Sequence, residues 1–416
     1  QWYCFLLYGT AAGTVFHKVF FSQTGNGTTA LILSYMSFAI GYIAGPFGAI
    51  FFGHIGDRKG RKVTMYASLL MMGISTSIIG ILPPAASAGV GVVIVLQLMR
   101  LAQCFGRGGT WGGGILMAYE NVPENKRSFY AAIPQIGLPI GFGLSSILIA
   151  VPTLLLPEDI FFTWGWRIPF LAAIILTVIV IRQKGEMMET EDYKKAQAKL
   201  EAEEAEGKKH KVGFIPMVKG YWKTLLLGCG TRWVDGTFYN IFIVWILSYC
   251  INWLGMPLIQ TYIITIIACI FKIPFTLFGG WCAQKLGNTR TFVIGALASA
   301  VLSIPTLKVI ELSKGNLAIT IIGIVLGWSI AYNLIWAVIS SLWSSYFETE
   351  VRYSGISFVY HVPSFLVAGM VPTICTLLIN YGKGDTIYVG IYSTVVALIS
   401  AACALALKAR HDRGEK

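Results

Sequence analysis

The sequence predicts an all-α membrane protein, with twelve transmembrane helices arranged as two six-helix bundles. Three observations carry the prediction. Of 416 residues, 55% are hydrophobic and 12% charged, with a mean hydropathy of +0.67, whereas a soluble domain carries about 25% charged residues. Twelve apolar stretches approach the roughly 20 residues that a spanning helix needs. A polar segment rich in Lys and Glu divides them six and six.

The first six spans run roughly over 1–21, 31–52, 63–82, 90–118, 130–151 and 166–181 and form one bundle, 1–181. Residues 182–219 read as a linker, partly helical because Glu, Lys, Ala and Gln are strong helix formers in a solvated segment. The second six run roughly over 222–253, 257–282, 292–309, 319–346, 357–379 and 388–407, giving a bundle over 220–407 and a tail over 408–416. The chain opens at Gln1 already inside an apolar helix, so a short tail is expected to precede it; no cleavable signal peptide is visible.

A net charge of +12 invites a nucleic-acid partner, but the placement of the cations argues against one. Of 32 Lys and Arg, 23 fall in loops and tails on one side of the spans, three on the other (Lys308, Lys314 and Lys383), and six in or beside spans. Such asymmetry orients a membrane protein with its basic side in the cytoplasm. Both termini and the linker are therefore expected there, in the cytoplasmic (plasma) membrane, with the lipid bilayer rather than nucleic acid as partner. All eight cysteines lie in apolar segments without paired spacing, as small buried hydrophobes do.

Between the second and third spans stands Gly53-His-Ile-Gly-Asp57-Arg58-Lys-Gly60-Arg61-Lys62. Four cations in five residues suit a very short cytoplasmic turn, with Gly60 permitting a tight reversal and Asp57 placed to meet a helix N-terminus. A weaker copy, Gly280-Trp-Cys-Ala-Gln-Lys-Leu-Gly287-Asn-Thr-Arg290, follows the eighth span. A Pro-Phe pair precedes each copy (Pro46-Phe47, Pro274-Phe275), and Gln284 stands where Asp57 would be. Two related halves with a site between them are expected.

The first motif resembles the loop between the second and third helices of the major facilitator superfamily. Further stretches resemble its metabolite:proton symporters: Pro46–Lys62, Tyr130–Gly141, Trp164–Phe170, Val351–Gly355 and, in part, Arg100-Leu-Ala-Gln-Cys-Phe-Gly. The resemblance implies the major facilitator fold and a secondary active transporter that moves a small anionic or zwitterionic metabolite with protons by alternating access. It also implies a cytoplasmic gate made of Gly53, Asp57, Arg58, Gly60, Arg61, Arg100 and Glu120. Three acids of the family pattern are replaced, by Gln1, Cys4 and Thr110, so proton-independent uniport or exchange stands as the alternative. From another class, a non-transporting membrane sensor or an enzyme stands against both. The chain shows no catalytic or nucleotide-binding motif and its five histidines are scattered, so an enzyme, a cofactor and a metal site are not expected. A monomer is.

A charge in the middle of a membrane costs at least about 2.5 kcal/mol, so each one needs a reason. Asp235 is the one acid clearly inside a predicted span, with Arg232 three residues earlier on the same helix face. Two readings stand side by side: Asp235 exchanges protons, with Glu120 and His361 as poorer seconds, or Arg232 and Asp235 are a permanent pair. Arg107, seven residues after Arg100 and set among glycines, is an anion-site candidate, with snorkelling toward an interface as its alternative. Tyr239, Asn333, Trp336 and His361 complete the candidate substrate-binding set with Arg107 and Arg232; aromatics and a lone His at such positions otherwise simply pack.

Overall fold

Ten of the twelve expected spans are apolar helices of 19 to 36 residues. The computed structural model describes residues 1–23, 26–59, 61–110, 118–119, 122–123, 126–184, 214–348 and 351–415, without the side chains of 53–54, 56–62, 183–184 and 214–216. The linker segment 185–213 lies outside the described residues. We number the helices by span: α1 Trp2–Thr14, α2 Gly27–Lys59, α3 Arg61–Ile81, α4 Val90–Gly108, α5 Gly137–Leu155, α6 Arg167–Lys184, α7 Phe214–Asn240, α8 Leu258–Leu286, α9 Asn288–Leu312, α10 Asn333–Tyr346, α11 Arg352–His361 and α12 Ile387–Asp412.

Local chemistry sets the helix ends. Asn26 accepts from the Thr29 N–H at 2.9 Å and caps α2. Gly287, with φ of +87°, makes the reversal between α8 and α9. In the first half α2 packs on α4, and α3 on both α4 and α6; in the second, α12 packs on α7 and α9, and α8 on α10. The α2–α4 contact depends on bare backbone: a Cβ at Gly48 would stand 2.0 Å from the Phe105 carbonyl oxygen, and one at Gly108 2.4 Å from the Ala49 nitrogen. At least part of the glycine run beside Arg107 therefore serves close helix approach.

Several expectations are corrected. The charged motif after the second span is not a short loop throughout: α2 continues to Lys59 and α3 begins at Arg61, because Lys and Arg are good helix formers once outside hydrocarbon. The first span is two pieces, α1 and then Phe16–Val19, parted at Val15, whose φ/ψ of −122°/−48° leaves the helical region. The eleventh starts earlier, at Arg352, and passes through a π-helical turn, Phe365–Gly369, before Val371–Tyr381. Pro363 and Pro372 supply no backbone N–H there, which loosens the regular ladder. Similar π turns, Ile241–Trp245 after α7 and Val325–Ala331 before α10, interrupt the seventh and tenth spans; such turns redirect side chains and recur at functional sites.

The halves meet on two levels. On the level of the α8–α9 turn, Trp336 donates from its indole to the Gln135 carbonyl (3.0 Å), and Gln284 accepts from the Phe129 N–H (3.3 Å). A Cβ at Gly280 would stand 2.7 Å from that of Ala132. On the opposite level the Tyr35 hydroxyl donates to Ser248 (2.6 Å), and a Cβ at Gly13 would stand 2.9 Å from the Val244 carbonyl. Beyond that second level a cavity of about 680 Å³ opens among His17, Lys18, Trp245, Tyr249, Asn252 and Asn380.

Candidate substrate-binding site

Between the two levels lies a buried cluster of cations and aromatic rings, which we term the chamber. Arg107, near the end of α4, is 2% exposed. Its guanidinium carbon is 3.8 Å from the Phe5 ring centroid, 5.1 Å from that of Tyr42 and 5.7 Å from that of Tyr360. The Arg232 guanidinium on α7 lies 4.4 Å from the same Tyr360 ring. Aromatic faces carry negative quadrupole density, which lets two guanidiniums share one region out of water. Arg107 therefore points into the protein; it does not snorkel.

The two arginines differ in what they hold. Arg232 Nη1 donates to Asp235, the carboxylate one turn on, and the Tyr332 hydroxyl donates to the other oxygen of Asp235. Arg107 Nε and Nη2 are buried without a hydrogen-bond partner, as are Arg232 Nε, the Tyr42 and Tyr239 hydroxyls and His361 Nδ1. Buried donors are normally satisfied, and a guanidinium in particular prefers a bidentate acceptor. This arrangement can take a small anion, with hydroxyls and an imidazole placed to bond its other polar atoms.

Charge accounting points the same way. Among the described residues the fully buried interior holds Arg100, Arg107, Arg232 and Lys272 against a single carboxylate, Asp235. Lys272, on α8, has its ammonium 4.4 Å from the Tyr332 ring centroid and 4.6 Å from that of Trp328, and donates to the Trp328 carbonyl at 3.4 Å.

The other expected site residues fall in different places. Tyr239 borders the chamber, its ring 6.5 Å from that of Trp2, and His361 lies edge-on to Tyr360 at 4.9 Å. Trp336 also reaches the chamber edge, 5.5 Å from the Trp2 ring, but its N–H is spent on Gln135 across the halves. Asn333 is fully engaged between helices, donating to the Lys272 carbonyl (2.8 Å) and accepting from Thr276 (3.1 Å). Arg100, expected at the cytoplasmic gate, sits mid-helix under the rings of Phe5, Tyr8 and Phe38 and donates to Gln103 and to the Phe38 carbonyl. Of the remaining gate residues, Gly60 and Glu120 lie outside the described residues, as do the side chains of Asp57, Arg58 and Arg61, and Gly53 is described only as part of α2.

Phe5, Tyr42, Tyr360 and Trp2 were not legible as site residues, because an aromatic on an apolar helix ordinarily packs. Lys272 was legible as a charge within a span, but its position over Tyr332 depends on the π turn at 325–331.

Two helical halves that meet around a buried cluster of charged and aromatic side chains are built as a carrier is. The chain matches the Major Facilitator Superfamily over residues 4–372 and belongs to that family of transporters. It is 34% identical to the inner membrane metabolite transport protein YhjE of Escherichia coli, covering 99% of this chain and 92% of the relative. It is 31% identical to the shikimate transporter of the same organism (98% and 91% covered) and 27% identical to the proline/betaine transporter of Salmonella typhimurium (99% and 82%). A crystal structure of a D-xylose–proton symporter superposes with a TM-score of 0.71 at 16% identity, covering 98% and 95%; at that identity it shows the fold.

Proposed function

We propose that the protein carries a small carboxylate anion together with protons across the cytoplasmic membrane by alternating access. The observation that carries the reading is the buried Arg107 guanidinium with two unpartnered nitrogens in a chamber of excess positive charge. A zwitterion would bring its own cation into that chamber and gain less from it, so an anion is favoured. The relatives named for shikimate and for proline and betaine handle molecules bearing a carboxylate, in keeping with an Arg anchor.

The halves 1–181 and 220–407 act as the two moving bodies, rocking about the chamber. The Trp336–Gln135 contacts part to open one side, and the Tyr35–Ser248 contacts part to open the other. The termini, the linker 182–219 and the tail 408–416 face the cytoplasm, as the cation asymmetry favours. The 680 Å³ cavity is then the external vestibule. The carrier is proposed to act as a monomer. Protons act through the ionisable chain Asp235–Tyr332–Lys272.

Purified protein in proteoliposomes tests this. Labelled carboxylates, shikimate among them, should accumulate when the side facing the vestibule is made acidic. Counterflow without accumulation would make the protein a uniporter or exchanger. No movement of any member of a broad carboxylate panel would remove the substrate assignment.

A further inference from the structure

The seventh- and eighth-span charges are not equivalent. Asp235 has both oxygens engaged, one by the Arg232 guanidinium and one by the Tyr332 hydroxyl. Each oxygen takes one donor, and the two bonds fix the carboxylate between the seventh and tenth spans. Lys272 is the opposite case. It is 0% exposed, and no carboxylate among the described residues lies within ion-pair distance. Its one hydrogen bond, at 3.4 Å, goes to the carbonyl of Trp328 within the π turn.

An ammonium buried in this way without a counter-ion is costly. Two events relieve the cost: release of the proton, or arrival of an anion nearby. The groups facing Lys272 are few. Cys269 lies one turn back on α8, Asp235 with its partner Arg232 comes from α7, and Tyr332 and Trp328 come from the tenth span. The fifth span contributes Phe142, whose ring lies 5.9 Å from that of Trp328, and no charged side chain there.

We propose that Lys272 is a group that gains and loses the transported proton, with Tyr332 linking its charge to the Asp235–Arg232 pair. This rests on the anion-transport reading above. When no anion is bound, loss of the proton to water in the open cleft removes that cost. A carboxylate on Arg107 adds a negative charge and favours the ammonium, so anion and proton each strengthen the binding of the other. They then cross together, and opening on the far side releases both.

Trp328 provides a reporter that needs no substrate, because a cation over an indole alters its emission. Full-length wild-type protein in detergent should show a one-proton transition in tryptophan fluorescence when it is titrated over the range in which it stays folded. The transition should be absent in Lys272→Met, in Lys272→Arg, which stays charged throughout, and in Trp328→Phe. It should persist in Asp235→Asn. Absence of the transition in wild-type protein, or its persistence in Lys272→Met or Lys272→Arg, overturns the assignment. If Lys272→Met fails to fold, the Lys272→Arg comparison alone decides. Failure of the transport reading would show separately, as wild-type vesicles that accumulate no carboxylate under a pH gradient whatever the fluorescence does.

Discussion

Tyr332, just after the π turn midway along the tenth span, donates its hydroxyl to the carboxylate of Asp235 on the seventh, 97 positions earlier in the chain. This bond ties two helices of the second half at the depth where Arg232 also engages Asp235, and it puts the rim of one aromatic ring between a carboxylate and the Lys272 ammonium.

The pair at its centre should behave as a coupled unit. Asp235→Asn leaves Arg232 buried without a counter-charge, a loss of about 3–5 kcal/mol for a buried pair broken on one side. Adding Arg232→Gln removes the stranded cation, so the double variant should melt closer to wild type than either single. Thermal unfolding in detergent measures this, and additive losses would mean that the two residues act independently.

Much of this was legible and some was not, for identifiable reasons. Arg232 and Asp235 stand three apart on an apolar helix, so their pairing follows from helical geometry. Arg107 announces itself as a cation among glycines where hydrocarbon should be. Hydropathy also places the long spans. It does not mark the break at Val15 or the π turns at 241–245 and 325–331. Nor does it distinguish Tyr42 and Tyr360, which flank Arg107, from aromatics that merely fill space.

The outer closure offers a second prediction. Tyr35→Phe deletes the bond to Ser248 between the halves but keeps the ring. Population should move toward the state open at the vestibule by roughly tenfold, the worth of one buried neutral hydrogen bond of about 1 kcal/mol or slightly more. A cysteine introduced at Ala39, buried one turn inward of Tyr35 on α2, should react faster with an impermeant maleimide in this variant than in wild type. An unchanged rate would mean that Tyr35 does not hold that side shut.

A third prediction concerns pH. In the turn before α12, Asp385 accepts from Lys308 Nζ at 2.6 Å and from the Ile387 N–H at 2.7 Å. These bonds, the lysine's first, hold its carboxyl below the usual aspartate range. The folded-state pKa is depressed, so the stabilisation is complete above the unfolded value of about 3.9 and is lost as pH falls through the folded one. Asp385→Asn should therefore melt below wild type at pH 7, and the gap should close as pH drops below about 4. A gap independent of pH would mean that the ion pair is not its source. Asp385 is at the surface, so the effect should also shrink in high salt.

The central claim is that Arg107 holds the carboxylate of the transported anion, and its most direct test is counterflow of labelled carboxylates into preloaded proteoliposomes, wild type against Arg107→Gln and Arg107→Lys. Losing a charge-assisted bond of about 1.5–3 kcal/mol should weaken half-saturation by roughly 10- to 100-fold in Arg107→Gln. Arg107→Lys should recover only part of the loss, since an ammonium cannot form the bidentate fork. Counterflow in Arg107→Gln with wild-type half-saturation would contradict the account.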